Sequence, residues 1–170
     1  MRAIGCIEIA SSSQKGRPLY NAAAWCESGT ILSYGRKCLL PNYDVFDEER
    51  YFEPATKPLV YQWKDKRIGI TICEDIWTDE KVQTSKRYCH DPVELLSKEG
   101  LDLLINLSAS PWHTHKEDSR QDLIEQVSHR LNCPVVYCNS VGGNDELIFD
   151  GDSFITHPSK GIIAQMPKFK

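Results

Sequence analysis

The 170-residue sequence has no apolar stretch near the roughly 18 consecutive residues that a membrane-spanning helix needs. It also has no basic run, because its 20 Lys and Arg residues are scattered among 24 acidic ones, for a net charge of −4. Surfaces that bind nucleic acid are basic. We therefore expect neither a nucleic acid nor a membrane as a partner. The first residues lack the pattern of a targeting segment, so we expect a cytoplasmic protein.

Disulfide and metal spacings are missing as well. The seven cysteines are an odd number, and most lie in apolar, strand-like stretches, as expected of reduced cytoplasmic thiols. His113, His115 and His129 lie near one another in the sequence, but no cysteine or acid completes a ligand set. We expect no metal site and no cofactor in this chain.

The composition that remains, 41% apolar and 26% charged, suits one globular domain over residues 1–170. Period-two stretches and helical spacing alternate in its middle, which predicts an α/β sheet with a site at the strand ends. Residues 38–52, 108–114 and 140–146 are predicted as loops. The predicted strands are Arg2–Ile9, Tyr20–Glu27, Thr30–Arg36, Pro58–Trp63, Arg67–Cys73, Leu101–Leu107, Pro134–Asn139, Phe154–Thr156 and Gly161–Gln165, and the predicted helices are Pro92–Glu99 and His115–Asn132.

Cys73 is the sharpest local feature, because it stands where an alternating strand gives way to the acidic residues Glu74 and Asp75. A tight strand-to-helix turn would expose its sulfur, and backbone N–H groups and a nearby cation would favour the thiolate. Most cysteines, however, are small buried hydrophobes. The residues alone leave both interpretations open.

Lys37 ends an apolar strand and is followed by Cys38-Leu39-Leu40. A partly desolvated ammonium there would stabilise a tetrahedral oxyanion during nucleophilic attack on an amide. The alternative, which composition alone favours, is a surface lysine whose stem covers apolar neighbours.

Several separated segments, in order, resemble the carbon–nitrogen hydrolase (nitrilase) superfamily, and most closely the glutaminase domains of glutamine-dependent NAD synthetases. The segment Val141–Gly151 is the most specific for that subfamily. The resemblance covers nearly the whole chain and implies an αββα sandwich. The segments are Lys37–Phe52, Ile72–Trp77, Asn106–Pro111 and Tyr137–Ser153.

The resemblance also implies the chemistry. Cys73 corresponds to the nucleophile that attacks the glutamine side-chain amide, forms a thioester and releases ammonia. Lys37 corresponds to the lysine that stabilises the tetrahedral intermediate, and Glu48 to a secondary glutamate beside it.

Residues that bind the substrate are implied in the same way. Tyr43 corresponds to a tyrosine of the glutamine pocket, and Glu74 and Ser110 to positions that hold the amino-acid end of glutamine. Lys116 or Arg120 would meet the substrate carboxylate, since a cation is the natural partner of a buried carboxylate.

The chain departs from the family pattern at both ends. No Pro-Glu pair supplies the general-base glutamate, and Glu8 is predicted to be an ordinary strand residue. We expect the chain to start after the first strand and helix of the sandwich. It is also expected to end before any synthetase domain, because no Ser-Gly-Gly phosphate-binding loop of the synthetase type is present and Gly142-Gly143 lacks the Lys-Ser/Thr of a P-loop. ATP and Mg²⁺ would belong to that absent domain.

An incomplete sandwich would have an open sheet edge that a partner chain must cover. By analogy with the family we expect a homo-oligomer. Two alternatives to a glutaminase remain: a stand-alone amidase that acts on another small amide, and an inactive fragment that serves only as an interaction domain because it lacks the general base.

Overall fold

The computed structural model describes residues 1–13, 15–77, 88, 90–114 and 116–170, with no account of the side chains of 116–118. Two short 3-10 turns, Glu48–Arg50 and Cys73–Ile76, accompany its regular elements. The strands are β1 (Arg2–Ile9), β2 (Leu19–Glu27), β3 (Thr30–Arg36), β4 (Leu59–Trp63), β5 (Lys66–Ile72), β6 (Leu103–Ser108), β7 (Val135–Asn139), β8 (Val141–Asn144), β9 (Leu147–Asp150), β10 (Phe154–His157) and β11 (Gly161–Gln165), and the helices are α1 (Pro92–Ser97) and α2 (Lys116–Leu131).

The strands form a six-stranded sheet, a three-stranded sheet and a hairpin. The larger sheet has the order β11-β10-β7-β6-β5-β4, and its central strands β5, β6 and β7 are parallel. Strands β1, β2 and β3 make an antiparallel meander, and β8 pairs with β9. The parallel core brings the carboxyl ends of β5, β6 and β7 to one edge, where ligands bind in open α/β sheets.

The two faces of β5 show how the layers stack. Ile68, Ile70 and Ile72 form one core with Ala23 and Trp25 of the smaller sheet. On the opposite face, a side chain on Gly69 would have its Cβ 2.6 Å from Leu101, so that glycine lets the other core approach closely. That second core joins the larger sheet to both helices. The described residues thus form three layers, sheet, sheet and helices, which confirms the α/β sandwich.

Both predicted helices are present. Asp91 caps α1 by accepting a hydrogen bond from the Glu94 backbone N–H at 3.0 Å, and Pro92 occupies the first position. In α2, apolar residues at helical spacing, Leu123, Ile124 and Val127, are buried against the sheet. In the described part of the chain no helix combines the length and the apolar character required to cross a membrane.

The prediction of a loop over residues 140–146 is wrong. Val141–Asn144 forms strand β8, whose register pairs Val141 with Asp150 and Asn144 with Leu147. Gly142 and Gly143 suggested a turn, yet the chain reverses two residues after Gly143, at Asp145, which has a φ of 52°. The side chains of β8 are exposed, so no buried alternation marked it as a strand in the sequence.

Candidate active site

Cys73 stands at the carboxyl end of β5, as its sequence context predicted. Its φ is 44°, in the left-handed region that a residue with a side chain enters at a cost. The 3-10 turn Cys73–Ile76 begins directly there. The sharp turn therefore places the half-buried thiol at the edge where the parallel strands end.

Lys37 is buried, with 1% of its surface exposed. Its Nζ lies 2.6 Å from Oε1 of Glu48, and the Asn21 side chain donates to the other oxygen of Glu48 at 3.1 Å. The alternative of a surface lysine is therefore wrong. The strand end buries the ammonium and the 3-10 turn Glu48–Arg50 supplies its counter-charge.

The thiol of Cys73 responds to these charges in opposite ways. Burial raises its pKa above the usual value, and the charges of Glu74 and Glu48 raise it further. The Lys37 ammonium and the backbone of Ala109 lower it. Burial dominates, so the expectation that the turn itself favours a thiolate is not met. The resting group is a thiol that needs a base.

Asp75 connects the segment that follows Lys37 to the segment that carries Cys73. One carboxylate oxygen accepts hydrogen bonds from the backbone N–H groups of Cys38 and Leu39, both at 2.9 Å. The other accepts from the N–H of Ile72, also at 2.9 Å. Asp75 thus joins the residues that follow Lys37 to the residue that precedes Cys73. Sequence reasoning missed this role, and its only signal was an acid two residues after a cysteine at the end of an apolar strand.

Two hollows meet at Cys73. The larger has a volume of about 650 Å³ and the smaller one of about 190 Å³, and Phe46, Cys73 and Glu74 line both. Among the other lining residues of the larger cavity are Asn21, Lys37, Glu48, Ala109 and Asn139. Among those of the smaller pocket are Tyr43, Trp77, Ser110 and Pro111.

The smaller pocket is organised around the Glu74 carboxylate. The Tyr43 hydroxyl lies 2.9 Å from both of its oxygens, and the Tyr88 hydroxyl lies 3.2 Å from one of them. With Ser110 on the same wall, the pocket offers a negative group and hydroxyls beside the thiol. Such a set can hold an ammonium group next to a reacting carbonyl.

The structure separates the two candidates for a cation that meets a carboxylate. Lys116 begins α2, but its side chain lies outside the described residues. Arg120 is completely buried, and its guanidinium pairs with Asp150 at 3.1 Å. It lines neither hollow. The expectation that Arg120 binds a substrate carboxylate is therefore not met, because Asp150 already occupies that role.

Glu8 behaves as predicted for a strand residue. Its two oxygens accept hydrogen bonds from the Arg36 guanidinium, both at 2.7 Å, across the smaller sheet. In the ranges that the structure describes, no group of three or more His, Cys, Asp and Glu side chains is arranged to hold a metal ion.

The sequence matches the Carbon-nitrogen hydrolase family over residues 2–170. It is 45% identical over 157 residues to the glutamine-dependent NAD(+) synthetase of Synechocystis sp., a match that covers 92% of this chain and 28% of the relative. The protein of the same name from Thermotoga maritima is 43% identical, with 85% and 23% covered. The chain thus spans about a quarter of the length of these relatives.

Comparison with solved structures gives the same result as comparison of the sequences. The glutamine-dependent NAD+ synthetase of Acinetobacter baumannii, in complex with ADP, superposes with a TM-score of 0.83 and 34% identity, over 99% of this chain and 29% of that one. A carbon-nitrogen hydrolase from Helicobacter pylori, 19% identical, has a TM-score of 0.75 over 97% of this chain and 57% of that one, a likeness of fold alone. The chain belongs to the carbon-nitrogen hydrolase family.

Proposed function

We propose that this chain hydrolyses the side-chain amide of glutamine, through a thioester on Cys73, to supply ammonia. The observation that carries the proposal is that Cys73 lines one cavity with the buried Lys37 ammonium and a second pocket with the Glu74 carboxylate. A cation on one side suits an oxyanion, and an anion on the other suits the α-ammonium of an amino acid.

The chemistry proceeds in two steps. The Cys73 sulfur attacks the amide carbon, and the carbonyl oxygen takes the negative charge near Lys37. The C–N bond then breaks as the proton lost by the thiol reaches the nitrogen, which leaves as ammonia. Water attacks the thioester, restores the thiol and releases glutamate.

A base must remove the proton of Cys73, because burial raises the pKa of the thiol. Among the described residues, the carboxylates whose charges reach the sulfur are those of Glu48 and Glu74, and both are engaged, one by Lys37 and the other by Tyr43. We therefore propose that another carboxylate, from a segment of a longer protein or from a partner, serves as the base in turnover. Alkylation of Cys73 by an electrophile does not need that base, because the thiolate fraction already present reacts.

The relatives suggest where the ammonia goes. These relatives are glutamine-dependent NAD(+) synthetases, and this chain spans about a quarter of their length. We propose that a synthetase domain consumes the ammonia in the amidation of deamido-NAD and that the working protein is a homo-oligomer. ATP and Mg²⁺ would act in that domain, and the glutaminase step derived above uses no cofactor.

The test is covalent labelling of the 170-residue chain with a diazoketone analogue of glutamine, read by intact mass and peptide mapping. A second diazoketone that lacks the amino-acid end serves as the control reagent. We expect one adduct, at Cys73, with the glutamine analogue only. The Cys73→Ala chain should take up none, and the other six thiols act as internal controls.

The other outcomes identify the alternatives. Equal labelling of Cys73 by both reagents would indicate an amidase without preference for an amino-acid substrate. Labelling spread over several cysteines, or none at all, would mean that this chain by itself is an inactive piece and would contradict the proposal for it.

A further inference from the structure

A buried ion pair lies behind the site. Both Nη atoms of Arg120, on α2, contact the Asp150 carboxylate at the end of β9 at 3.1 to 3.2 Å, and both side chains are fully buried. The guanidinium also lies 5.9 Å from the centre of the Tyr137 ring. The free energy needed to remove two charges from water offsets most of their mutual attraction. Such a buried pair therefore adds little to the free energy of unfolding.

Asp150 also contacts Asn139, the last residue of β7. The Asn139 side-chain amide donates to an Asp150 oxygen at 3.3 Å. The same amide group pairs with the backbone of Ser110, because its oxygen accepts from the Ser110 N–H at 2.8 Å and its nitrogen donates to the Ser110 carbonyl at 3.4 Å.

The position of Ser110 explains what this pairing adds. The ladder between β6 and β7 ends at the pair Ser108 and Asn139. The Asn139 side chain extends the pairing two residues beyond that end, as a strand would. It thereby fixes the Ala109–Ser110 backbone, which follows the ladder and lines both hollows beside Cys73.

We propose that Arg120, Asp150 and Asn139 are a positioning unit that holds the Ala109–Ser110 backbone in register with Cys73 and so sets the affinity for the amino-acid end of the substrate. The inference rests on the proposed function. Asn139 makes the direct contact, and Arg120 acts through Asp150, which orients the Asn139 amide so that its oxygen faces the Ser110 N–H.

The experiment compares Asn139→Ala with Ser128→Ala in the 170-residue chain. The control loses one buried hydrogen bond, from the Ser128 hydroxyl to the Cys133 carbonyl at 2.8 Å, outside both hollows. Labelling rates of Cys73 are measured with the glutamine diazoketone and with iodoacetamide, which has no amino-acid end. Hydrogen exchange of the Ser110 amide is measured in parallel.

In Asn139→Ala we expect the glutamine reagent to react about tenfold more slowly, since both hydrogen bonds to the Ser110 backbone are lost. Iodoacetamide labelling should change by less than about twofold and Ser110 exchange should speed up about tenfold or more. Ser128→Ala should leave all three unchanged. Asp150→Asn leaves the buried Arg120 charge without its counter-charge, so it costs more stability and should show the same pattern where it folds. Asn139→Ser, whose hydroxyl is too short to pair with the Ser110 backbone, serves if Asn139→Ala does not fold.

The outcomes separate the two proposals. Unchanged Ser110 exchange in the Asn139 variant, or an equal slowing of both reagents, would overturn the positioning unit. A native chain that reacts with iodoacetamide but not with the glutamine reagent would overturn the proposed function. In that case Ser110 exchange alone still decides whether Asn139 fixes the backbone.

Discussion

Lys37 and Glu48 act in opposite directions on one thiol. The ammonium lowers the pKa of Cys73 and the carboxylate raises it. Lys37→Met should therefore slow alkylation of Cys73 by iodoacetamide, and Glu48→Gln should accelerate it, each by about tenfold at neutral pH for a pKa change of one unit.

The measurement is the pH dependence of iodoacetamide labelling at Cys73, followed by peptide mapping. A second measurement, the rate of ammonia release, distinguishes the effect on thiol reactivity from the effect on catalysis. In a protein that hydrolyses glutamine, both variants should lose ammonia release by orders of magnitude, although only Lys37→Met loses thiol reactivity. Slower alkylation of Glu48→Gln would contradict the opposing action of the two charges.

Asp75 provides a second test at this scale. Burial raises its pKa from 3.8 to about 6, so the native chain holds a proton that the unfolded chain releases. The linked stabilisation is complete below about pH 4. It is lost as the pH rises to about 6, and it amounts to about 3 kcal/mol.

Asp75→Asn cannot titrate, and its side-chain oxygen can still accept from the two N–H groups that follow Lys37. Between pH 4 and pH 7, the free energy of unfolding of the native chain should fall by about 3 kcal/mol relative to this variant. Urea denaturation at a series of pH values measures the difference, and parallel curves for the two proteins would refute it.

Among the elements, the turn at Cys73 stores backbone strain. A φ of 44° costs a residue with a side chain about 1 kcal/mol more than glycine. Cys73→Gly should therefore be more stable than Cys73→Ala by roughly that amount, in free energy of unfolding measured with urea. Cys138, within strand β7, is the matched control, since there the Ala variant should be the more stable one.

The order of stability of the four variants decides the point. If Gly were less stable than Ala at both positions, the turn would hold no strain that a side chain has to bear. The backbone conformation at Cys73 would then not lower the free energy of unfolding.

The elements were predictable where burial imposes a period. Strand β5 was predicted from the alternation of Ile68, Ile70 and Ile72, because one face of the strand is buried. Helix α1 was predicted from its cap, Asp91 followed by Pro92. Strand β8 left no such pattern, since all of its side chains are exposed.

The site was predictable only in part, for the same physical reason. The resemblance identified Cys73 and Lys37, and the structure brought them to one cavity. Asp75 and the Arg120–Asp150 pair escaped because their partners are distant in sequence or are backbone groups. The sequence alone does not distinguish a charged residue that binds a ligand from one that pairs with another buried charge.

At the scale of the whole molecule, β1 is an edge. Among the described strands it pairs only with β2, and Ile4, Ile7 and Ile9 are exposed along it, with Ile9 at 77%. Unpaired backbone groups combined with apolar side chains promote pairing between chains. This agrees with the predicted open edge, and a partner chain that covers it stays a prediction.

Self-association of the 170-residue chain through this edge should therefore be weakened by Ile7→Lys, because charges on edge strands oppose pairing. Leu95→Lys is the control: it also adds a charge at an exposed apolar residue, but in α1 rather than on a strand. Sedimentation velocity over a range of concentrations should show a smaller average mass for Ile7→Lys only. If both variants dissociate equally, general surface hydrophobicity or net charge, and not the strand edge, controls the association.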